Sequence, residues 1–528
     1  MLSTKSSGEP LLGGRPYFSR RAEVVAMASM GWPMLVSFAC RLGMGSTDSA
    51  FVGHITDGAF APHEYLAAAS LSDMVVNIAA APPLAFNQVL NALVSQAIGA
   101  DNPMMAGRWL QLSIIALAVG MLPSLICFFY VGPVLKLLGF SDAVCLLAGH
   151  YAKFNVFWPI PNGWYQCMRF YFQAMGITKP AMYNNLFFFF VNILLNWFFV
   201  FGGPASLRAV TGFGGFGFVG AAMSISMSRC LQPLAFFLYM FVYRKAHLET
   251  WPGWSMESID QKYVKVFLAQ ALPLVGTIIF QMLVDQSSTL MISQLGTLAV
   301  ACSSATQALI NIVAGGASNM LIGVAAVRVG FHLGRGDGPA AARAAAMAVA
   351  AGVIIVGGSM LAVAPVRHAA MSTISSDPYV VEVASRMIVP GFLASMGQLL
   401  VGVGTGGVFA AQGRTILNTI LAFAFELPCS IGSVFVLVMI MHTGVETVYW
   451  GKAGIAIVEA AVVMSIVAMS DWDASAAFAM ELQAKKADSS FKSMQSSMSR
   501  LSRVSPGTML TTPRVTQGAD ARRSQFAE

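Results

Sequence analysis

The sequence predicts an all-α polytopic membrane protein with twelve transmembrane helices in two six-helix lobes related by a parallel internal repeat. Three observations carry this. Over 528 residues the apolar share is 56% and the charged share only 10%, whereas soluble domains carry roughly 25% charged residues. The apolar residues gather in twelve stretches, each long enough to cross a hydrocarbon core that needs about 20 helical residues. The last six stretches echo the first six: Ile98-Gly99-Ala100-Asp101-Asn102-Pro103 recurs as Leu333-Gly334-Arg335-Gly336-Asp337-Gly338, with Arg108 and Arg343 each nine residues past the first glycine. Pro33 matches Pro273, Leu66-Ala67-Ala68-Ala69 matches Leu298-Ala299-Val300-Ala301, Asp142 matches Asp377, and Gly176-Ile177-Thr178 matches Gly413-Arg414-Thr415, at offsets of 240, 232, 235 and 237.

In chain order, a cytoplasmic N-terminal segment (1–24) precedes an N-lobe (25–243) with spans near 25–52, 66–98, 109–135, 148–174, 181–203 and 215–243. An inter-lobe loop (244–262) leads to a C-lobe (263–469) with spans near 263–293, 298–330, 340–365, 379–411, 415–441 and 448–469. A tail (470–528) follows. From about 484 it is rich in Ser, Arg, Lys and Thr, which bury too little surface to offset ordering entropy, so it is expected to be largely disordered. Glu9-Pro10-Leu11-Leu12 matches a dileucine sorting signal, and Ser505-Pro506 and Thr512-Pro513 match phosphorylation sites, all three as short motifs that arise easily by chance.

Six spans per half is even, so both halves enter the membrane from the same side. Parallel repeats of this kind mark secondary transporters that bind cargo between two lobes. Arg15, Arg20 and Arg21 before span one, Arg244, Lys245, Lys262 and Lys265 around the central loop, and Arg335 and Arg343 after span eight place both termini in the cytoplasm. The alternate loops carry chiefly Lys136, Arg208, Arg367 and Lys452. The +7 net charge is thereby topological, and no nucleic-acid partner is expected. The seven cysteines are scattered without a CxxC pair and read as small core residues, with no metal or cofactor implied. HExxH, paired histidines at metal spacing and a G-x-S-x-G elbow are absent from the sequence, which argues against an enzyme.

Five stretches in order resemble the multidrug and toxic compound extrusion (MATE) family of antiporters. They are Thr47-Asp48-Ser49-Ala50-Phe51-Val52-Gly53-His54, Leu93-Val94-Ser95-Gln96-Ala97-Ile98-Gly99-Ala100, Gln173-Ala174-Met175-Gly176-Ile177-Thr178-Lys179-Pro180, Val327-Arg328-Val329-Gly330-Phe331-His332-Leu333-Gly334, and Gln398-Leu399-Leu400-Val401-Gly402-Val403-Gly404-Thr405-Gly406. The resemblance covers roughly 25–469. It implies a two-lobed bundle that exports organic, often cationic, solutes against inward flow of protons or sodium ions.

Polar groups at bilayer depth need a partner, a wet cavity or a task. Asp48 has two readings: an ion pair with Arg41 two turns earlier on the same face, or ion coupling, because it matches the acid with which prokaryotic relatives help bind the coupling ion. Asn192 and Asn196 in span five stand where relatives place an Asn and an Asp, so the implied N-lobe ion site depends on Asp48 with two neutral amides; interhelical amide pairing is the alternative. Asp73, Asn77, Gln88, Asn91 and Ser95 of span two share a sector of about 60° at ~100° per residue. Pro82-Pro83 breaks that helix, and the matching point of span eight is Gly315-Gly316. Matched breaks point to a transporter's binding region, or else simply let helices pack.

In span seven Asp285 is the expected proton-coupling residue, against a structural salt bridge with Arg328. Eukaryotic relatives place glutamates in this region, and Ser395 stands where their span ten holds an Asp. Aligning the repeat without gaps sets Asp48 against Ser288, one turn past Asp285, so the two acids are expected on similar faces. Glu426 and Glu459 read as buried partners of Arg229 or Arg386, or as titrating groups. The expected substrate cavity comprises Gln281, Asp73, Asn77, Gln88, Trp164, Tyr165 and Gln398, with Trp164 and Tyr165 offering cation–π surface. The whole describes a monomeric, proton-coupled exporter of organic, cationic or amphipathic compounds, in a plasma or vacuolar-type membrane. Sodium coupling, organic-anion or metabolite efflux, and a flippase for lipid-linked substrates remain open alternatives.

Overall fold

The computed structural model describes residues 19–55, 60–254, 260–375 and 377–483, and no strand occurs among them. The dileucine motif, the Ser-Pro and Thr-Pro pairs and the tail from 484 lie outside the described residues. In chain order the helices are α1 (Arg20–Gly53), α2 (Pro62–Leu84), α3 (Phe86–Gly99), α4 (Pro103–Phe129), α5 (Val131–Leu137), α6 (Asp142–Asn155), α7 (Pro159–Ala174), α8 (Lys179–Phe201), α9 (Ala205–Thr211) and α10 (Gly217–Phe237). The second half gives α11 (Gln261–Ser293), α12 (Thr297–Ile310), α13 (Gly316–Gly334), α14 (Gly338–Val363), α15 (Arg367–Ser372), α16 (Pro378–Gly402), α17 (Thr415–Phe425), α18 (Gly432–Phe435), α19 (Val445–Ala468) and α20 (Trp472–Gln483).

Eleven helical segments among the described residues are long and apolar enough to cross a bilayer. The fourth expected span is instead the pair α6 and α7, broken at Trp158-Pro159. Pro159 and Pro161 occupy the first turn of α7, where a missing N–H leaves no bond unmade. The paired breaks expected in spans two and eight are both present, with different geometry. After Pro82-Pro83 the first half turns at Ala85, whereas the second half continues through a π-helical turn, Asn311–Gly315. Wider turns of this kind also interrupt spans ten and eleven, at Val403–Phe409, Glu426–Ile431 and Val436–Ile440.

The repeat has a local cause. Asp101 and Gly336 occupy the same left-handed turn, at φ 53° and 79°. The next residues, Asn102 and Asp337, donate backbone N–H groups to Ala97 and His332 carbonyls at 2.9 and 3.0 Å, and each then opens a helix. Gly176 and Gly413 repeat this at φ 81° and 72°. Glycine is favoured at such positions because a Cβ clashes there.

The lobes meet through α1 and α3 against α13, and through α2 and α3 against α11. At the centre the repeat faces itself. A Cβ added at Gly99 would strike the backbone of Phe331, and one at Gly334 would strike the backbone of Gln96, the position that corresponds to Phe331. Gly330 likewise lies on Ser95, its own counterpart. The pseudo-two-fold axis therefore runs between α3 and α13, where four helical turns touch through glycine.

The tail expected from 470 begins with order. α20 lies across the end of the bundle that carries the termini, its Phe478 against Gly413 and Met480 against Gly336. Its last residue, Gln483, is buried in the N-lobe: Trp109 Nε1 donates to Gln483 Oε1 at 3.1 Å, Asn102 Nδ2 donates to the Gln483 carbonyl at 2.8 Å, and Gln483 Nε2 donates to Gln96 Oε1 at 3.2 Å. A helix appended to the C-lobe thus ties down the N-lobe.

Candidate functional site

Asp48 sits in α1, within the N-lobe, and is 7% exposed. Asn192 and Asn196 lie one turn apart on α8, so both amides face the same point on the neighbouring helix. Asn192 Nδ2 and Asn196 Nδ2 donate to Asp48 Oδ1 at 3.0 and 2.8 Å. Asn196 Oδ1 is buried without a hydrogen-bond donor among the described residues. Arg229 of α10 and Asp73 of α2 lie within electrostatic reach of Asp48, and Tyr151 lies within electrostatic reach of both acids. The Arg229 guanidinium rests on the Trp158 ring, 4.1 Å from its centroid.

Two pairings expected from the sequence are replaced. Arg41 does not contact Asp48; it lies within electrostatic reach of Tyr165 and Arg169, with the Phe38 ring centroid 5.9 Å away. Arg229 serves the N-lobe acids, and Arg386 is taken by Glu382 at 2.7 Å on its own helix, so neither neutralises Glu426 or Glu459. The latter two instead form an acidic series with Asp285, each within electrostatic reach of the next.

Asp285 differs from Asp48 in its surroundings. It is solvent-accessible on the wall of a C-lobe cavity of about 680 Å³ lined by α11, α12, α16 and α19. Lys452, on α19, lines the same cavity two turns inside the helix, where the sequence reading had treated it as a loop charge. Ser288, aligned with Asp48 by the repeat, is 2% exposed and its hydroxyl has no partner among the described residues. The two acids therefore occupy dissimilar faces: one is enclosed by amides, the other faces open space.

Of the expected substrate-cavity residues, Gln398 lines this cavity beside Asp285, and so does Ser395. Gln281, Asp73, Asn77, Gln88, Trp164 and Tyr165 do not. Gln281 is exposed one turn before Asp285, and Asn77 and Gln88 are exposed on α2 and α3. Tyr165 is 1% exposed and packs edge-on against Phe236, so its ring offers no face to a solute. Trp164, at 41% exposure, stands on the outside of α7. The phenylalanine run points all round α8, with Phe188 buried at 4% and Phe187 and Phe190 exposed at 61% and 56%.

A cluster the sequence reading missed closes the terminal side of the bundle. Glu23, assigned to the N-terminal segment, is 4% exposed and receives Arg328 Nε at 2.7 Å and an Arg328 terminal nitrogen at 2.5 Å. His332 Nε2 lies 3.3 Å from the same carboxylate. Glu23 is on α1, and Arg328 and His332 are on α13, so this fork-to-fork pair of Glu23 and Arg328 joins the lobes. Arg328 is thereby withdrawn from Asp285, the partner proposed for it from sequence.

The MatE family model matches residues 33–198. An uncharacterized transporter of Schizosaccharomyces pombe is 27% identical over 240 residues, 45% of this chain and 42% of that one, so this chain spans less than half of that relative. Protein DETOXIFICATION 16 of Arabidopsis thaliana is 25% identical over 75% of this chain and 78% of its own length. In structure, the chain superposes on the eukaryotic MATE transporter AtDTX14 with a TM-score of 0.74 and 21% identity, covering 88% of this chain and 99% of that one. That likeness is one of fold.

Proposed function

We infer, from the chain's membership of the MATE family of membrane transporters, that it exports small organic compounds in exchange for protons by alternating access between its lobes. The observation that carries this reading is the enclosure of Asp48. It is a carboxylate at bilayer depth held by two neutral amides, with no cation in salt-bridge contact among the described residues. Burying a charge that lacks a contacting partner is costly, so taking up a proton changes which packing of the bundle is favoured. Once protonated, Asp48 has an acceptor close by in the unpartnered Asn196 Oδ1.

Asp285 has the complementary task. Facing the cavity, it meets cargo and proton in the same place, and the two exchange only because they favour different states. With both termini cytoplasmic, the Glu23–Arg328 closure holds the cytoplasmic side shut, and the cavity residues Asp285 and Lys452, each two turns from the far helix ends, lie toward the opposite side. The protein acts as a monomer in a plasma or vacuolar-type membrane. The names borne by its relatives, DETOXIFICATION and MATE transporter, support an extrusion role.

The test is uptake of tetraethylammonium into proteoliposomes under an imposed proton or sodium gradient. Acceleration by the proton gradient alone, lost in Asp48→Asn and Asp285→Asn, is the expected result. Full-rate exchange in both variants would overturn the mechanism, and a rate that followed sodium would replace the coupling ion.

A further inference from the structure

We propose that the C-lobe cavity selects solutes carrying a positive and a negative charge together, with Lys452 receiving the anionic group and Asp285 the cationic one. The inference rests on the transport reading and narrows its substrate class. Both side chains line a single cavity of about 680 Å³, room for a small organic molecule and its hydration water. They sense one another electrostatically, yet no salt bridge joins them among the described residues. The Lys452 ammonium lies 5.9 Å from the centroid of the Tyr449 ring. Opposite charges facing one cavity without touching leave a gap that a ligand of matched polarity fills.

The chemistry of the walls agrees. Tyr449 is held back by hydrogen bonds of 3.1 Å to the Ser303 carbonyl and hydroxyl, which keep its ring beside Lys452. Ser304, Gln307, Ser395 and Gln398 add donors and acceptors to the walls of the same cavity. Glu426, within electrostatic reach of Asp285, deepens the negative pole, and Lys452 is the one Lys or Arg among the described residues that line the cavity. A lone cation gains at Asp285 what it loses to Lys452, and a lone anion meets the reverse. A zwitterion gains at both ends.

Three probes that share one body separate these cases: carnitine (a permanent zwitterion), its methyl ester (a permanent cation) and 3-hydroxybutyrate (the anion without the ammonium group). The full-length protein in proteoliposomes is expected to take up carnitine about tenfold faster than either of the others. Lys452→Gln should invert the order of carnitine and its ester, while Lys452→Arg should keep it. Size-exclusion elution and circular dichroism report whether each variant is folded. Equal carnitine-to-ester ratios in the wild type and Lys452→Gln would overturn the proposal. Uptake of tetraethylammonium with no preference for carnitine would sink this inference alone; uptake of none of the four probes would sink the transport reading beneath it.

Discussion

Substituting Glu23 by Gln keeps the shape of the closure and removes its charge. In the structure both Arg328 nitrogens that reach Glu23 are satisfied at 2.7 and 2.5 Å, and both side chains are nearly dry, at 7% and 4% exposure. Leaving one member of such a pair buried without its partner costs about 3–5 kcal/mol. If the lobes part on this side, Arg328 regains water, so the penalty falls on the closed conformation alone. A difference of about 3 kcal/mol moves a two-state equilibrium by more than a hundredfold. A cysteine at Met30, which is 3% exposed and packed in the same cluster as Val324 and Val327, reports the opening when other reactive cysteines are removed. Its labelling by a membrane-impermeant thiol reagent from the terminal side should rise at least tenfold in Glu23→Gln. Replacing Glu23 and Arg328 together by Leu should bring the rate back down, since an apolar pair substitutes well for a buried ionic one. Labelling within twofold of the parent in the single variant would refute the idea that this pair holds the closed state.

Three further outcomes follow from other contacts. Asn196→Leu removes the 2.8 Å donor to Asp48 and should cost about 1–3 kcal/mol, read as a fall in melting temperature of the purified protein. Gln483→Ala removes the hydrogen bonds that its side chain makes with Trp109 Nε1 and Gln96 Oε1, and should release α20, seen as faster hydrogen exchange over 472–483 with the transmembrane helices unchanged. Gly334→Val places a branched side chain on the backbone of Gln96, which cannot yield as a side chain would; it should raise the Met30 reporter's labelling and lower the melting temperature together.

What could be read from the sequence was what repeats or recurs locally. The turns at Asp101 and Gly336, and at Gly176 and Gly413, impose the same backbone twice and so leave the same residue pattern twice. Asp48, Asn192 and Asn196 were singled out because a carboxylate and two amides at bilayer depth are conspicuous, and the structure brings the three into hydrogen-bonding contact. Pairings were harder. Glu23 and Arg328 are 305 positions apart with nothing periodic between them. Arg229 was set beside the wrong acids because sequence gives no measure of which helices adjoin. Lys452 looked like a loop charge since α19 begins at Val445, a few residues earlier than its hydropathy suggests. The twelve residues of α20 lie before the compositional change at about 484 and include Trp472, Phe478, Met480 and Leu482, but they are too short for a membrane span, so sequence alone gave them no place in the bundle.

The self-facing seam between α3 and α13 bears on leakage. Because Gly99 and Gly334 are images of one another, any tilt of one lobe against the other strains both contacts equally, and neither can yield while its twin holds. On the proposed alternating-access mechanism the seam parts as a unit, which leaves no half-parted form through which the coupling ion could run downhill unaccompanied. On that mechanism, symmetry kept at the axis would tie together two candidate sites that have themselves lost their symmetry.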